Sequence, residues 1–267
     1  MINPKERQQA LLSPNLEPYS KSRIQWEEPF CLGETQLTAE EVISLAAPQL
    51  TEARRQRLSQ VVEHRCLSFA PVLENIHDQG NISAVMRSAE AFGFINFHLL
   101  ETERQRFKAA RGVSKGTEKW LDVHIHGSAE ELVGQLHGQG FQVFATHLGE
   151  GSQALQELDF GRPLVLVFGN EKKGVSEGLR ALCDGQVVIP MYGFAQSFNI
   201  SVAAALAFQW AHFQKSQAQG EAGDLTAEQK KLLLANYYLR SLDRPEELLG
   251  QMARREGFEP STLRSEV

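Results

Sequence analysis

The segment that most constrains the fold is the run PLVLVF at residues 163–168, which is apolar at every position. A strand without a polar face must be covered on both sides, and such strands lie inside parallel sheets flanked by helices. The segment therefore predicts an α/β fold rather than an antiparallel sheet with one face in water.

Strand and helix patterns alternate through the middle of the chain. The predicted strands are residues 70–76, 95–100, 121–126, 141–146, 163–168 and 186–190. The predicted helices are residues 82–92, 129–138, 176–183 and 200–215. Strands separated by helices predict a parallel sheet with right-handed crossovers.

The two ends of the chain differ from the middle in composition. Residues 1–50 are rich in Pro, Glu, Gln and Ser, and are expected to form a loosely attached extension, partly disordered or helical, with one helix capped by Thr38. A helix is predicted at residues 51–66. The C-terminal part, residues 216–267, is predicted to hold two helices broken near Pro245. The predicted domain is residues 51–215.

Composition limits the class of protein. No apolar run reaches the roughly 18 residues of a membrane span, and the N-terminus lacks the apolar core of a secretory signal. The cysteines, Cys31, Cys66 and Cys183, are widely spaced and suggest neither a disulfide framework nor a metal site. A cytoplasmic protein without a metal is expected.

Positive charge is concentrated in a few places. The net charge of −6 argues mildly against nucleic acid as a partner, because phosphate neutralisation drives that binding. Basic residues nevertheless cluster at residues 54–57, 104–119 and 172–173. Each cluster is either a solvated surface or part of an RNA-binding surface. The candidate RNA-binding residues are Arg54, Arg55, Arg57, Arg111, Lys115 and Lys172.

Three polar segments follow predicted strands, at the edge of the sheet where ligands bind in α/β folds. In the first, Asn81 and Arg87 lie at the start of a predicted helix. Asn81 could cap that helix while Arg87 pairs with Glu90 at the surface. Alternatively, both residues belong to a site.

The second segment, GNEKKG at residues 169–174, contains no Walker A or dinucleotide-binding pattern. Its Glu171 is either a salt-bridged surface acid or a carboxylate of a site. In the third segment, Ser197, Asn199 and Ser201 crowd the start of a helix that is almost entirely small or apolar, and hence buried. Capping explains one of these residues, and the others could be offered to a ligand.

Together the three segments resemble the ordered motifs of the SpoU class of RNA ribose 2′-O-methyltransferases, within the larger SPOUT class. The motifs are N-x5-R-x4-F-G from Asn81, FGNE-x-x-G from Phe168, and IPM-x-G-x-x-x-S-x-N-x-S-V-A from Ile189. The similarity covers roughly residues 54–215. The flanking helices resemble the TrmH-type branch, which methylates tRNA guanosine.

The resemblance implies a Rossmann-like α/β fold with a C-terminal trefoil knot, a homodimer, and S-adenosylmethionine as the methyl donor. The site residues that it implies are the catalytic Arg87, Asn81, Glu171, Asn199 and Ser197 and the cofactor-binding Thr146, Leu148, Gly169, Ile189, Met191 and Phe198. Phe198 departs from the family, which usually has leucine there.

The function that follows is methylation of the ribose 2′-hydroxyl of a D-loop guanosine in tRNA. Because arginine stays protonated in proteins, Arg87 is expected to bind a phosphate and stabilise negative charge rather than act as a base. The same chemistry on 23S ribosomal RNA and a non-catalytic RNA-binding protein on this fold remain as alternatives. A dinucleotide-dependent oxidoreductase is disfavoured because the fingerprint is missing.

Overall fold

The structure is a computed structural model and describes residues 23–102, 116–220 and 223–255. Its backbone divides into two compact units. The sheet unit contains Arg23 and Arg65–Asp224, and the helical unit contains Ile24–His64 and the described chain from Leu225 onward.

The elements are numbered in chain order within the described residues. The strands are β1 (Phe30–Leu32), β2 (Thr35–Leu37), β3 (Phe69–Glu74), β4 (Asn96–Leu100), β5 (Asp122–His126), β6 (Gln142–Thr146), β7 (Gln153–Ala154), β8 (Leu164–Phe168) and β9 (Gly185–Val188). The helices are α1 (Ala39–Ala46), α2 (Glu52–Glu63), α3 (Gln79–Ala91), α4 (Ala129–Gly138), α5 (Glu177–Leu182), α6 (Ile200–Gln219), α7 (Ala227–Leu239) and α8 (Pro245–Arg255).

The sheet unit is built on a seven-stranded sheet in the order β5-β4-β3-β8-β6-β9-β7. All its neighbouring strands pair in parallel, which confirms the predicted α/β class. The strand β8 is the apolar run of the sequence analysis. It is buried at every position and lies between β3 and β6.

The core of the sheet unit packs α6 against the aromatic side chains of the sheet. Phe208 of α6 lies with its ring centroid 5.7 Å from that of Phe94 and 6.3 Å from that of Phe168. Ala204 and Ala211, which lie four residues before Phe208 and three after it, are fully buried. Small residues on this face let the helix approach the sheet closely. The prediction that α6 is buried was only partly correct, because Val202, Leu206 and Phe213 are exposed on its other face.

The N-terminal prediction was incomplete. Thr38 caps α1 through a capping box with Glu41, as expected. Residues 30–37, however, form the antiparallel hairpin β1–β2, which the sequence analysis did not predict. The helix predicted at residues 51–66 ends at Glu63, and Arg65 is buried in the sheet unit.

The structure does not test two broader predictions. The domain boundaries at residues 50 and 215 and the trefoil knot remain predictions, although the compact units divide the chain near residues 24, 64 and 224. Among the residues described, no helix has both the length and the apolar character that a bilayer span requires.

Three buried histidines stack on the strands β4 and β5. The ring of His98 lies 4.7 Å from that of His124, and its Nδ1 lies 3.1 Å from Nε2 of His126. Arg23 contacts His124 and forms an ion pair with the buried Asp122. Burial, together with neighbouring positive charge, lowers the pKa of His98 well below its usual value and that of His126 to about 3.

These shifts predict that the protein loses stability in weak acid. His98 and His126 are neutral in the fold but take up protons near pH ~6.5 when unfolded. The unfolded state therefore binds more protons between that pH and the lowered pKa values, and stability falls as the pH falls. The free energy of unfolding from urea titrations should decrease by up to about 1.4 kcal/mol per pH unit for each histidine between pH ~6.5 and ~5. In the variant His98→Gln/His126→Gln the slope should flatten, and an equally steep slope there would contradict the assignment.

Candidate active site

The loops that follow β6, β8 and β9 line one cavity of about 560 Å³ at the carboxyl edge of the sheet. Parallel pairing places these strand ends side by side, because Val167 pairs with Ala145 and Val187 with Thr146. The structure thus brings together, on the cavity wall, the six residues predicted to bind the cofactor: Thr146, Leu148, Gly169, Ile189, Met191 and Phe198.

The loop of residues 169–174 folds back on itself, and a glycine makes this possible. A Cβ atom at Gly169 would lie 2.0 Å from the backbone N of Val175. The side chain of Asn170 holds the loop from inside, because its Oδ1 accepts hydrogen bonds from the backbone N of Lys172 at 2.9 Å and of Lys173 at 3.3 Å. Between these residues, Glu171 is presented to the cavity.

Asn81 lies inside α3 rather than at its start. The helix begins at Gln79 and is capped by Asp78, so the reading of Asn81 as the helix cap was wrong. Because another residue caps the helix, the Asn81 amide can bond elsewhere. Its Nδ2 donates to Oε1 of Glu171 at 3.0 Å, and its Oδ1 accepts from Nδ2 of Asn199 at 3.2 Å.

Asn199 both caps α6 and donates the hydrogen bond to Asn81. Its Oδ1 accepts hydrogen bonds from the backbone N and the Oγ of Ser201, at 2.8 and 2.6 Å. The amide orientations assigned to this network make every bond run in one direction, from Ser201 through Asn199 and Asn81 to Glu171. We call these residues the amide row. Glu171 is its terminal acceptor and forms no ion pair within the described chain.

Two predicted catalytic residues do not line the cavity: Asn81 is joined to it through Glu171 and Asn199, whereas no such contact joins Arg87 to it within the described chain. Arg87 lies on the same helix as Asn81. It follows Asn81 by about 9 Å along the axis of α3 and by roughly a third of a turn around it. Its side chain is exposed and does not line the cavity. The predicted surface pair with Glu90 was also wrong, because Glu90 pairs instead with the buried Arg65 at 2.7 Å.

The remaining predicted residues divide between the two units. Ser197 and Lys172 line the cavity. Arg54, Arg55 and Arg57 lie on α2 in the helical unit, where Arg54 donates to Ser241 and Arg55 pairs with Glu52. The predicted RNA-binding residues Arg111 and Lys115 fall outside the described residues.

Besides Asn170 and Gln196, sequence reasoning missed the polar side chain of His147 on the cavity wall. Its Nε2 lies 2.9 Å from Nη1 of Arg180, and partial burial together with this cation lowers the pKa of His147. The imidazole is thus neutral and accepts from the guanidinium. Its position directly after Thr146 at a strand end was the available signal.

The family model described as SpoU rRNA Methylase family matches residues 68–209, which include all the cavity loops. The chain belongs to the SpoU rRNA methylase family.

Proteins similar to this SpoU chain include enzymes named as RNA methyltransferases. It is 38% identical over 168 residues to a tRNA (guanosine(18)-2'-O)-methyltransferase of Thermus thermophilus, with 63% of this chain and 86% of that protein covered. The crystal structure of the A. aeolicus TrmH/SpoU tRNA modifying enzyme matches with a TM-score of 0.67 and 30% identity over 72% of this chain and 98% of that one. The SpoU methyltransferase AviRb of Streptomyces viridochromogenes, solved in complex with AdoMet, matches with a TM-score of 0.51 and 26% identity over 58% and 62% of the two chains.

The double use of Asn199 in this SpoU chain predicts different results for two substitutions. Asn199→Ala removes the helix cap and should lower the free energy of unfolding by about 1 kcal/mol. Asn199→Asp keeps the acceptor for Ser201 but loses the donor to Asn81, so its stability in urea titrations should stay near wild type. Equal losses in both variants would show that the cap contributes nothing.

Proposed function

We propose that this chain transfers the methyl group of S-adenosylmethionine to the ribose 2′-hydroxyl of a guanosine in tRNA, at position eighteen of the D-loop. The names of its relatives support the substrate. The observation that carries the chemistry is the cavity on which three loops converge, with the amide row ending at Glu171. Acting on tRNA, the enzyme is expected to work in the cytoplasm.

The cavity fits the cofactor in size and in lining. Its volume of about 560 Å³ lies within the usual range for ligand pockets. Leu148, Ile189, Met191 and Phe198 give it an apolar wall, and Phe198 provides a ring where the family has leucine. When bound, S-adenosylmethionine supplies an electrophilic methyl group, which the hydroxyl oxygen accepts as it loses its proton.

Glu171 is the group we assign to accept that proton. It is the only carboxylate among the residues that line the cavity in the described chain. Asn81 donates to Oε1, which orients the carboxylate and leaves Oε2 for the substrate. The other candidate, His147, has its Nε2 against Arg180. The hydroxyl hydrogen would pass to Glu171 as the oxygen bonds to the methyl carbon, while the bond from that carbon to the sulfonium sulfur breaks and its electron pair stays on the sulfur as a neutral thioether.

The exposed apolar surface supports a homodimer. Val202, Leu206 and Phe213 of α6 are 46%, 43% and 45% exposed and lie on one face of the helix, at positions i, i+4 and i+11. Tyr192 and Phe194, on the loop before α6, are fully exposed. Several large apolar side chains exposed on one helix face and on the preceding loop are typical of an interface, and we assign this surface to a second copy of the chain.

The dimer also accounts for Arg87. Its helix α3 packs against α6, whose exposed face we assign to the partner. A residue that is exposed on a helix packed against α6 and does not line its own cavity can serve the cavity of the second copy. There its permanent charge binds a phosphate of the RNA and stabilises the negative charge that develops on the ribose oxygen.

The first test is incubation with labelled S-adenosylmethionine and either total tRNA or ribosomal RNA, followed by mapping of the label. Label on the ribose of a D-loop guanosine is expected. Label in 23S ribosomal RNA would favour the alternative substrate, and label on a base would contradict the reaction. Arg87→Ala should lower the transfer rate about 10²-fold and leave cofactor affinity nearly unchanged in calorimetry. A large loss of cofactor affinity would contradict its assigned role.

The second test concerns the proton acceptor. Glu171→Gln keeps the shape of the side chain and an acceptor for Asn81, but cannot take up a proton. Single-turnover methyl transfer should fall by about 10²- to 10⁴-fold, with little change in cofactor affinity. Glu177→Gln, an exposed acid outside the cavity, is the matched control. A transfer rate of Glu171→Gln within a few-fold of the control would exclude Glu171 as the acceptor.

The third test concerns the dimer. Leu206→Glu places a charge in the centre of the apolar face of α6 and should convert the dimer into monomers in light-scattering measurements. The matched control, Gln135→Glu, adds the same charge at an exposed position of α4 and should remain dimeric. Transfer activity should be lost together with the dimer, because Arg87 then has no partner cavity. An active monomer would contradict this arrangement.

A further inference from the structure

We infer that Asn75 is a positioning residue that fixes the loop of residues 169–174, and thereby the Glu171 carboxylate, at the cavity. The link from Asn75 to the loop stands on the contacts of Asn75 itself. Its consequence for catalysis rests on the proposed function of Glu171.

The backbone of Asn75 is unusual. It follows β3 directly and has a φ of 47°, in the left-handed region that residues with a Cβ atom rarely adopt. In the described chain, Arg244 of the helical unit is the other non-glycine residue with a positive φ. Such backbone conformations persist where several contacts hold them, and they cluster at functional sites.

On one side, Asn75 forms hydrogen bonds with the end of β4 and the segment that follows it. Its Nδ2 donates to Oγ1 of Thr102 at 2.8 Å, and its Oδ1 accepts from the backbone N of Thr102 at 3.0 Å. Its backbone N donates to the carbonyl of Leu100 at 2.9 Å. Both ends of the amide are therefore used.

On the other side, Asn75 contacts the chain that leaves β8. Its carbonyl oxygen accepts from Nδ2 of Asn170 at 2.8 Å. Asn170 is 7% exposed, and its Oδ1 accepts hydrogen bonds from the backbone N of Lys172 and of Lys173. These bonds bridge across Glu171, so a shift of the Asn75 carbonyl would be passed to the carboxylate.

The left-handed conformation explains how one residue serves both sides. Strand β3 lies between β4 and β8 in the sheet. The turn at Asn75 directs its side chain to the exit of β4 and its carbonyl to the exit of β8. Glycine would adopt this φ readily but lacks the amide, and aspartate lacks the donor to Thr102. Asparagine combines tolerance of the left-handed region with both hydrogen-bonding groups.

The experiment compares Asn75→Gly, which keeps the backbone conformation and loses the Thr102 bonds, with Thr102→Val and Thr102→Ser. Cofactor Kd by calorimetry and single-turnover transfer are measured well below the melting temperature of every variant. Asn75→Gly and Thr102→Val should raise the cofactor Kd several-fold and lower the transfer rate by up to about 10²-fold. Thr102→Ser keeps the hydroxyl and should behave as wild type. Arg244→Gly is the control for altering a left-handed residue elsewhere.

The double variant Asn75→Gly/Thr102→Val should be no worse than Asn75→Gly, because Asn75→Gly already removes both bonds, including the one to Oγ1 that Thr102→Val removes. Additive losses would overturn the inference. A lower melting temperature with unchanged Kd and rate would also overturn it, because Asn75 would then serve stability alone. If the wild-type protein methylates no RNA ribose, the proposed function fails, while the cofactor Kd values of the same variants still decide the role of Asn75.

Discussion

Backbone hydrogen bonds that hold β8 between β3 and β6 are the constraint on which the rest of the site depends. Because these strands run in parallel, their carboxyl ends emerge at the same edge, and the loops after β6, β8 and β9 meet there. The apolar side chains of β8 are buried on both faces, so this pairing cannot slip without exposing them. A rigid frame thus carries polar loops that are held by hydrogen bonds of their own.

The amide row shows how weak contacts on such a frame can still be specific. Its hydrogen bonds are exposed, and each contributes only about 0.5–1.5 kcal/mol. They add little to stability, but their common direction leaves Glu171 with one oxygen occupied and one open. A substrate that covers the row would exclude water and strengthen every bond in it. The row is thus better suited to orienting a carboxylate than to stabilising the fold.

Charge and apolar surface are distributed in a way that suits the proposed homodimer. The cavity has its carboxylate and its apolar wall within one subunit, while Arg87 lies outside it on α3. Apart from Leu148 on the cavity wall, the large apolar side chains left exposed in the described chain lie on α6 and on the loop before it. The cavity lacks a cation from Arg87, and the apolar side chains of α6 lack a covering surface. Because α3 and α6 are neighbouring helices, one partner subunit would supply both.

Patterns that act locally were enough to determine much of this protein from its sequence. The apolar run at residues 163–168 determined a buried strand, the alternation of strands and helices determined the parallel sheet, and the ordered motifs identified the wall of the cavity. Only the tertiary structure decided that Asp78 rather than Asn81 caps α3, that Glu90 pairs with Arg65 rather than Arg87, and that Asn75 lies between two strand exits. Side chains that can serve equally as caps, surface pairs or site ligands acquire one role only when a partner distant in sequence is brought within hydrogen-bonding distance. Periodicity reports which face of an element is buried, but it does not report which distant residue that face will meet.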